Sequence, residues 1–363
     1  MLVVQKYGGS SLDSPDKIKA IAERVVARYL NGDKLVLVVS AAGNTTNKLQ
    51  DKAFELSTVP DPRELDMLVS IGERESISLM SIAINSIKPG LARSFTGSQI
   101  GLITDCNHRN ARILEIKGDR LKQALEEGRI PVIAGFQGVS INKEITTLGR
   151  GGSDTTAVAV TAALNADHCE IYSDVIGVYS SDPKVIPDAN LIKELDYDTM
   201  LEISSSGAKV LKDSAVEYAK RLGIKIFTGL SSNGYMGTII SKDVLNKNKY
   251  TALVYNDKLV YKLNTASEDT DFSCLDKVKL FQTFGDSKII IFEDENSTFE
   301  RCYSLTVVGS GTRSDKVALD KMHNFIKEVS NIIAVEISDI KFAVYFENII
   351  DQKMINKIHS LFF

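Results

Sequence analysis

Several common signatures are missing from this chain of 363 residues, and each absence narrows what it can be. No apolar run reaches the ~20 residues that a bilayer span needs, so no membrane partner is expected. The four cysteines, Cys106, Cys169, Cys274 and Cys302, form no Cys-x-x-Cys pair. That argues against a zinc ribbon and against a disulfide framework. The four histidines show no H-x-x-x-H spacing, and no metal ligand is assigned. Neither charge sign dominates: 43 Lys and Arg face 47 Asp and Glu, a net charge of −4, so no nucleic-acid partner is expected. The opening Met1-Leu-Val-Val-Gln-Lys-Tyr has no basic leader followed by a long apolar stretch, and a reducing, cytoplasmic setting is the expectation. There is no G-x-x-x-x-G-K-[ST], no G-x-G-x-x-G after a strand, and no protein-kinase H-R-D with D-F-G. If phosphate is handled, neither a P-loop nor a Rossmann turn does it.

What is present is the profile of a folded protein, 44% hydrophobic and 25% charged. Leu2-Val3-Val4 reads as a strand, and Gly8-Gly9-Ser10-Ser11 breaks it. Ser14 stands at an N-cap position before Pro15, and Ile18, Ile21, Ala22, Val25, Val26 and Tyr29 follow at helical spacing. Leu35 to Val39 is a continuous apolar run of the kind found in strands covered on both faces. The same alternation predicts helices over 66–86, 112–127, 153–165 and 207–222, with strands at 130–134, 170–172 and 224–227. It indicates an α/β domain with a largely parallel sheet over about residues 1–240. A polar stretch, Ser241 to Lys249, reads as a linker. Beyond it lie short strand-like runs at 251–255, 259–263, 288–292, 304–308 and 341–346, and one helix at 316–329. Residues 250–363 therefore read as a smaller α+β region.

Two glycine-rich segments carry the chemistry. Lys6-Tyr7-Gly8-Gly9-Ser10-Ser11 follows the first strand, and adjacent glycines let backbone N–H groups approach phosphate oxygens. Thr146 to Thr156, with Gly149-Arg150-Gly151-Gly152-Ser153-Asp154 at its centre, opens a helix whose N-terminus suits an anion. Arg150 adds a group able to grip a carboxylate or phosphate in two places. Each segment alone is equally an ordinary turn, with Ser153 or Asp154 as a simple cap. Together, each with a cation, they point to a site for phosphate and carboxylate.

A longer string of motifs resembles the aspartate kinases of the amino-acid-kinase superfamily. Lys6 to Ser11 resembles their opening K-[FY]-G-G-[ST]-S. Val38 to Gly43 with Thr46-Asn47, Ser70-Ile71-Gly72-Glu73-Arg74, Phe95 to Gln99 and Ile130 to Gly138 resemble the next blocks. Thr146 to Thr156 is similar to the family's most distinctive string. Tyr172 to Pro183 resembles its nucleotide segment, and Gly207-Ala208-Lys209-Val210-Leu211 its last block. Eight blocks in the family's order over about 210 residues make the resemblance specific. It implies an α/β/α sandwich around a mainly parallel sheet, followed by an ACT-like regulatory region that pairs two chains into a homodimer. It implies transfer of the ATP γ-phosphoryl group to the β-carboxylate of L-aspartate, with Mg2+ arriving on the nucleotide. The 4-phospho-L-aspartate formed leads toward lysine, diaminopimelate, threonine and methionine.

The resemblance also implies roles. Lys6, Asp154 and Lys209 are the catalytic set: Lys6 and Lys209 face phosphate, and Asp154 orients the lysines. Ser40, Thr46, Glu73, Arg150 and Ser153 belong to the aspartate pocket, Arg150 on a carboxylate and Glu73 on the α-ammonium. Lys6, Tyr7, Gly8, Gly9, Ser173, Asp174, Tyr179, Asp182, Pro183, Lys184 and Lys209 belong to the nucleotide. The chain departs from the pattern at Lys212-Asp213-Ser214. It also lacks the D-x-P-G turn that usually opens the first ACT helix. Residues 251–300 are short for a whole ACT unit, whereas about 301–363 resembles a second one. Weak or absent feedback by lysine and threonine is the expectation. A kinase for glutamate or N-acetylglutamate is the alternative enzyme, and a non-catalytic sensor on the same fold the alternative outside enzymes.

Overall fold

The computed structural model describes residues 1–208, 210–244, 249–265, 278–284, 287–293 and 299–363. Lys209 and Cys274, singled out above, lie outside them. The chain divides into two compact units. The first gathers Met1–Val178, Leu191–Met200 and 210–244; the second gathers Tyr179–Asn190, Leu201–Ala208 and the described residues from 249 onward.

The strands of the first unit are β1 (Leu2–Tyr7), β2 (Lys34–Val39), β3 (Ala92–Phe95), β4 (Leu102–Thr104), β5 (Ile113–Ile116), β6 (Ile130–Ala134), β7 (Gln137–Ser140), β8 (Ile145–Thr147), β9 (His168–Ser173), β10 (Glu194–Leu195), β11 (Ile226–Leu230) and β12 (Met236–Ile240). Its helices are α1 (Pro15–Leu30), α2 (Thr45–Leu56), α3 (Pro62–Val69), α4 (Ile71–Ile87), α5 (Asp119–Glu126), α6 (Gly152–Ala163), the first residues of α7 (Tyr197–Ser205), and α8 (Asp213–Leu222). The main sheet runs β10-β12-β11-β9-β1-β2-β6-β3, and only the β11–β12 pair is antiparallel. A second sheet, β5-β4-β7-β8, forms beside it.

Strand alternation decides what each face carries. Val3, Tyr7, Leu35, Leu37, Val39, Val132 and Ala134 pack with Ile18, Ile21 and Val25 of α1 and Ile77, Met80 and Ile84 of α4. Residues of opposite parity on β1, such as Val4 and Lys6, face the other side, where α6 lies against β1, β2 and β9. Helices on both faces explain why β2 is apolar at nearly every position rather than alternating. Helix α1 begins as its sequence predicts: Ser14 Oγ accepts from the Lys17 N–H, with Pro15 in the first turn.

The predicted helices needed three corrections. The 66–86 helix is two, α3 and α4, meeting at Ser70. Residues 113–116 of the predicted 112–127 helix form β5, and only 119–126 are helical, after Gly118 at φ +70. The 207–222 helix starts at Asp213, since Gly207 takes φ +122, a conformation no helix interior accepts.

Among the described residues, the second unit has one antiparallel sheet, β14-β15-β13-β16-β18-β17, with two helices of its own and the last residues of α7. Its strands are β13 (Tyr250–Thr265), β14 (Val278–Phe284), β15 (Ser287–Glu293), β16 (Glu300–Gly309), β17 (Ile332–Ile337) and β18 (Lys341–Phe346); its helices are α9 (Lys316–Glu328) and α10 (Gln352–Phe362). The separate runs 251–255 and 259–263 are two halves of β13, joined through a register shift between Asn256 and Leu259. Leu253, Leu305, Val307, Phe325, Phe342, Phe346, Ile355 and Ile358 form its core, and Ile186 from Tyr179–Asn190 is part of it.

Candidate functional site

The main sheet changes winding direction at β1. The chain leaves β1 for β2 on one side and returns as β9 on the other. Such a switch point opens a crevice at the carboxyl ends of the strands. The Gly8–Ser11 turn occupies that position. Gly8 N–H donates to Tyr172 O at 3.2 Å, tying the turn to β9, and Gly43 N–H donates to Gly9 O at 2.9 Å, tying it to the loop after β2. A Cβ on Gly9 would lie 2.6 Å from Ala41 O, so only glycine permits this approach. With the Gly8 N–H committed, Gly9 and Ser10 are the donors left at the start of the turn.

Lys6 points toward α6 because it lies on the face of β1 opposite Tyr7. Its Nζ meets Asp154 Oδ1 at 2.6 Å, with the two side chains only 11% and 10% exposed. The approach is an ion contact rather than an aligned hydrogen bond, since Asp154 Oδ1 has no partner of hydrogen-bond geometry. Asp154 is not a cap. Helix α6 starts at Gly152 behind Gly151, at φ +78, and no side chain caps it. The carboxylate sits in the first turn, where the helix field favours it, and turns to Lys6. Ser153 is also buried, and a Cβ on Gly135 would stand 2.7 Å from its side chain.

Glu73 lies in the first turn of α4 and is 3% exposed. Its Oε1 accepts the Ala41 N–H at 3.1 Å. Its Oε2 is buried and has no hydrogen-bond partner among the described residues. Burial pushes this carboxyl up to about 7, and the Ala41 hydrogen bond offsets only part of that. Gly72 makes the packing possible, because a Cβ there would come within 2.7 Å of Ala41 Cβ. Ser40 and Thr46 are half-buried; Ser40 N–H donates to Tyr7 O at 3.1 Å, and Thr46 is in the first turn of α2. Arg150 is exposed between Gly149 at φ +73 and Gly151 at φ +78.

Other sequence-derived positions fall elsewhere. The Tyr7 side chain is 2% exposed and stacks on Tyr172 with ring centroids 5.0 Å apart. It is core, because its parity on β1 turns it toward α1, so Tyr7 serves the turn only through its backbone. Ser173 Oγ accepts from the Val175 N–H at 3.3 Å, and Asp174 is exposed at the end of β9. Tyr179, Asp182, Pro183 and Lys184 belong to the second unit. There Asp182 Oδ1 accepts the Lys184 N–H at 2.9 Å.

Sequence reasoning missed a polar network on the α1 side of the sheet. Glu170, 3% exposed, accepts from Gln5 Nε2 at 2.7 Å, from Arg28 at 2.7 Å and from Tyr172 OH at 3.1 Å, and pairs with His168 at 3.0 Å. Burial alone would raise its carboxyl. The bonds from His168 and Gln5 and the Arg28 charge outweigh burial and hold it below the usual range. No spacing pattern in the sequence announces this cluster, since its members come from three elements.

Residues 1–228 match the model of the amino acid kinase family. An aspartokinase of Mycolicibacterium smegmatis is 50% identical over 244 residues, 67% of this chain and 58% of that one. An aspartokinase of Corynebacterium glutamicum is 49% identical over 241 residues, 66% of this chain and 57% of that one. The chain thus spans less than three-fifths of the length of these relatives. Among solved structures, E. coli aspartokinase III in complex with aspartate and ADP superposes with a TM-score of 0.84 at 21% identity, covering 99% of each chain. Aspartate kinase from Synechocystis gives a TM-score of 0.62 at 32% identity, covering 99% of this chain and 68% of that one. The first likeness is one of fold; the family match over residues 1–228 makes this chain a member of the amino acid kinase family.

Proposed function

We propose that this chain is an aspartate kinase, transferring the γ-phosphoryl group of ATP to the β-carboxylate of L-aspartate. The observation that carries the reading is Glu73: a buried carboxylate with one oxygen satisfied by Ala41 N–H and the other without a partner. Such an oxygen suits the α-ammonium of an amino acid, which supplies the charge and the donors it lacks. N-acetylglutamate, whose nitrogen is acylated, offers no such cation. The names of the relatives support aspartate as the acceptor.

The β-carboxylate is already ionised near neutral pH, so no general base is required. Catalysis is then positioning and charge stabilisation. Lys6, held by Asp154, meets the charge that develops on the transferring phosphoryl group. Gly9 and Ser10 add backbone donors, and Arg150 grips a carboxylate of the acceptor. Ser40, Thr46 and Ser153 line the acceptor pocket, and Ser173, Asp174, Tyr179, Asp182, Pro183 and Lys184 serve the nucleotide. Lys209 adds a second phosphate-side cation. Mg2+ would arrive with ATP and offset phosphate charge there, without needing a cage of protein ligands; among the described residues no cluster of three or more His, Cys, Asp or Glu could hold a metal. The antiparallel second unit is read as an ACT-like regulatory region through which two chains pair, in a cytoplasmic enzyme that opens the route to lysine, diaminopimelate, threonine and methionine. No helix among the described residues is long and apolar enough to cross a membrane.

The test is trapping of the acyl phosphate by hydroxylamine with Mg-ATP and L-aspartate, L-glutamate or N-acetylglutamate. Hydroxamate with aspartate alone is expected. Hydroxamate with another acid alone would redirect the substrate, and none from folded, ATP-binding protein would favour a sensor.

A further inference from the structure

Asp66, on α3, is fully buried and lies outside the glycine-rich turns and the Ser70–Arg74 segment. Its carboxylate gathers two chain segments that are far apart in sequence. Oδ1 accepts the Thr147 hydroxyl at 2.6 Å, and Oδ2 the Thr147 N–H at 3.2 Å. The Arg109 N–H reaches both oxygens, at 3.2 and 3.1 Å, and His108 Nδ1 lies 2.8 Å from Oδ2. These bonds hold Arg109 at φ +70, a conformation a non-glycine side chain adopts only when its surroundings insist. The two segments are also tied to each other: Ala111 N–H donates to Thr147 O at 2.9 Å, and a Cβ on Gly149 would lie 3.0 Å from Asn110 Oδ1.

Thr147 is the last residue of β8, and the chain then enters Leu148-Gly149-Arg150-Gly151. Arg150 stands between two left-handed glycines, the most pliable arrangement a backbone offers. Besides what its side chain meets, its direction depends on how firmly the turn is held at each end. Helix α6 holds the downstream end; Asp66 on Thr147, with Leu148 N–H on Phe136 O at 2.9 Å, holds the upstream end. Asp66 is also seven residues before Glu73, across the α3–α4 junction at Ser70, whose carbonyl accepts from Gln137 Nε2 at 2.8 Å.

We propose that Asp66 is a positioning residue: through Thr147 and Arg109 it fixes the Arg150 turn relative to Glu73, and so sets affinity for the acceptor amino acid. This deepens the reading of Glu73 and Arg150 as acceptor-site groups and rests on it.

Asp66→Asn tests the idea, because an amide keeps the volume but cannot accept from all these donors at once. In the full chain, KM for L-aspartate should rise about tenfold while KM for Mg-ATP stays within about twofold. A second readout needs no activity. Trypsin cleavage after Arg150, followed by mass spectrometry with cleavage after exposed Lys242 as control, should speed up about tenfold in the variant. If Asp66→Asn does not fold, Thr147→Val removes one donor without touching the buried charge, and should move both readouts the same way by about threefold. Equal rises in both KM values, or an unchanged cleavage rate at Arg150, would overturn the proposal. Should the wild type phosphorylate none of the acids, the functional reading fails, while the Arg150 cleavage rate still decides whether Asp66 holds the turn.

Discussion

Glu73→Gln is expected to stabilise the protein at pH 8, destabilise it at pH 4, and weaken substrate binding. The magnitude follows from the carboxyl being raised from 4.5 to about 7 by burial. A raised acid binds its proton more tightly when folded. Its contribution to stability is therefore fully present below about 4.5 and is lost as pH rises through about 7. A gap of about 2.5 units at 1.36 kcal/mol per unit makes the ionised carboxylate cost about 3 kcal/mol above pH 8. Glutamine keeps the acceptor for Ala41 N–H, but its NH2 falls where Oε2 has no partner, a loss of roughly 1–2 kcal/mol at every pH. The variant should gain about 1–2 kcal/mol at pH 8 and lose about as much at pH 4. The difference between the two pH values, about 3 kcal/mol, does not depend on the amide. Urea unfolding of both proteins from pH 4 to 8 measures it. A wild-type-to-variant difference that stays flat across that range would refute the reasoning, because it would mean that something in the folded protein already compensates the Glu73 charge.

The same group shapes the kinetics. KM for aspartate should climb as pH falls below about 7 in steady-state assays, since a protonated Glu73 cannot pair with an ammonium, while kcat at saturation changes little. Lys6→Ala should lower kcat by about a hundredfold or more and cost roughly 3 kcal/mol in unfolding experiments, because it leaves the Asp154 carboxylate buried and alone. Unchanged kcat would remove Lys6 from the mechanism. Gly9→Ala should lower the melting temperature and raise KM for ATP, as its methyl meets Ala41 O at 2.6 Å and the two loops must part. Glu170→Gln should cost about 1–2 kcal/mol at neutral pH, because the amide cannot satisfy Gln5, His168, Tyr172 and Arg28 together, while Arg28 keeps Asp33 at 2.9 Å. Denaturation should show that gap narrowing as acid titrates the wild-type carboxylate, whose contribution is present above its unfolded value and lost as pH falls through its depressed folded one.

Much of this protein is legible in its residues. The apolar runs at β1, β2 and β6 announce buried strands, and Ser14-Pro15 announces the start of α1, because these are local signals of period and capping. The glycine-rich turns are legible for the same reason: a backbone that must approach another backbone, or turn left-handed, admits little but glycine. Where local signals mislead, a tertiary partner intervenes. Residues 113–116 carry a passable helical pattern, yet they pair with β4. The two runs after 250 look like separate strands, yet the sheet accommodates a bulge between them.

Only the tertiary structure decides the electrostatics. Lys6 and Asp154 are 148 positions apart, and strand parity together with the placement of α6 brings them within 2.6 Å. The same parity sends Tyr7, which the motif made a ligand contact, into the core. Glu73 is an ordinary first-turn glutamate in the sequence, and it is pushed up to about 7 because burial in the fold outweighs the hydrogen bond from Ala41 N–H. Asp66 has no motif role in the sequence at all. Its part depends on donors from Arg109 and Thr147, which converge on it only once the chain has folded. Sequence determines which groups exist and which backbone turns are possible; burial and convergence, which depend on contacts between distant segments, determine what those groups do.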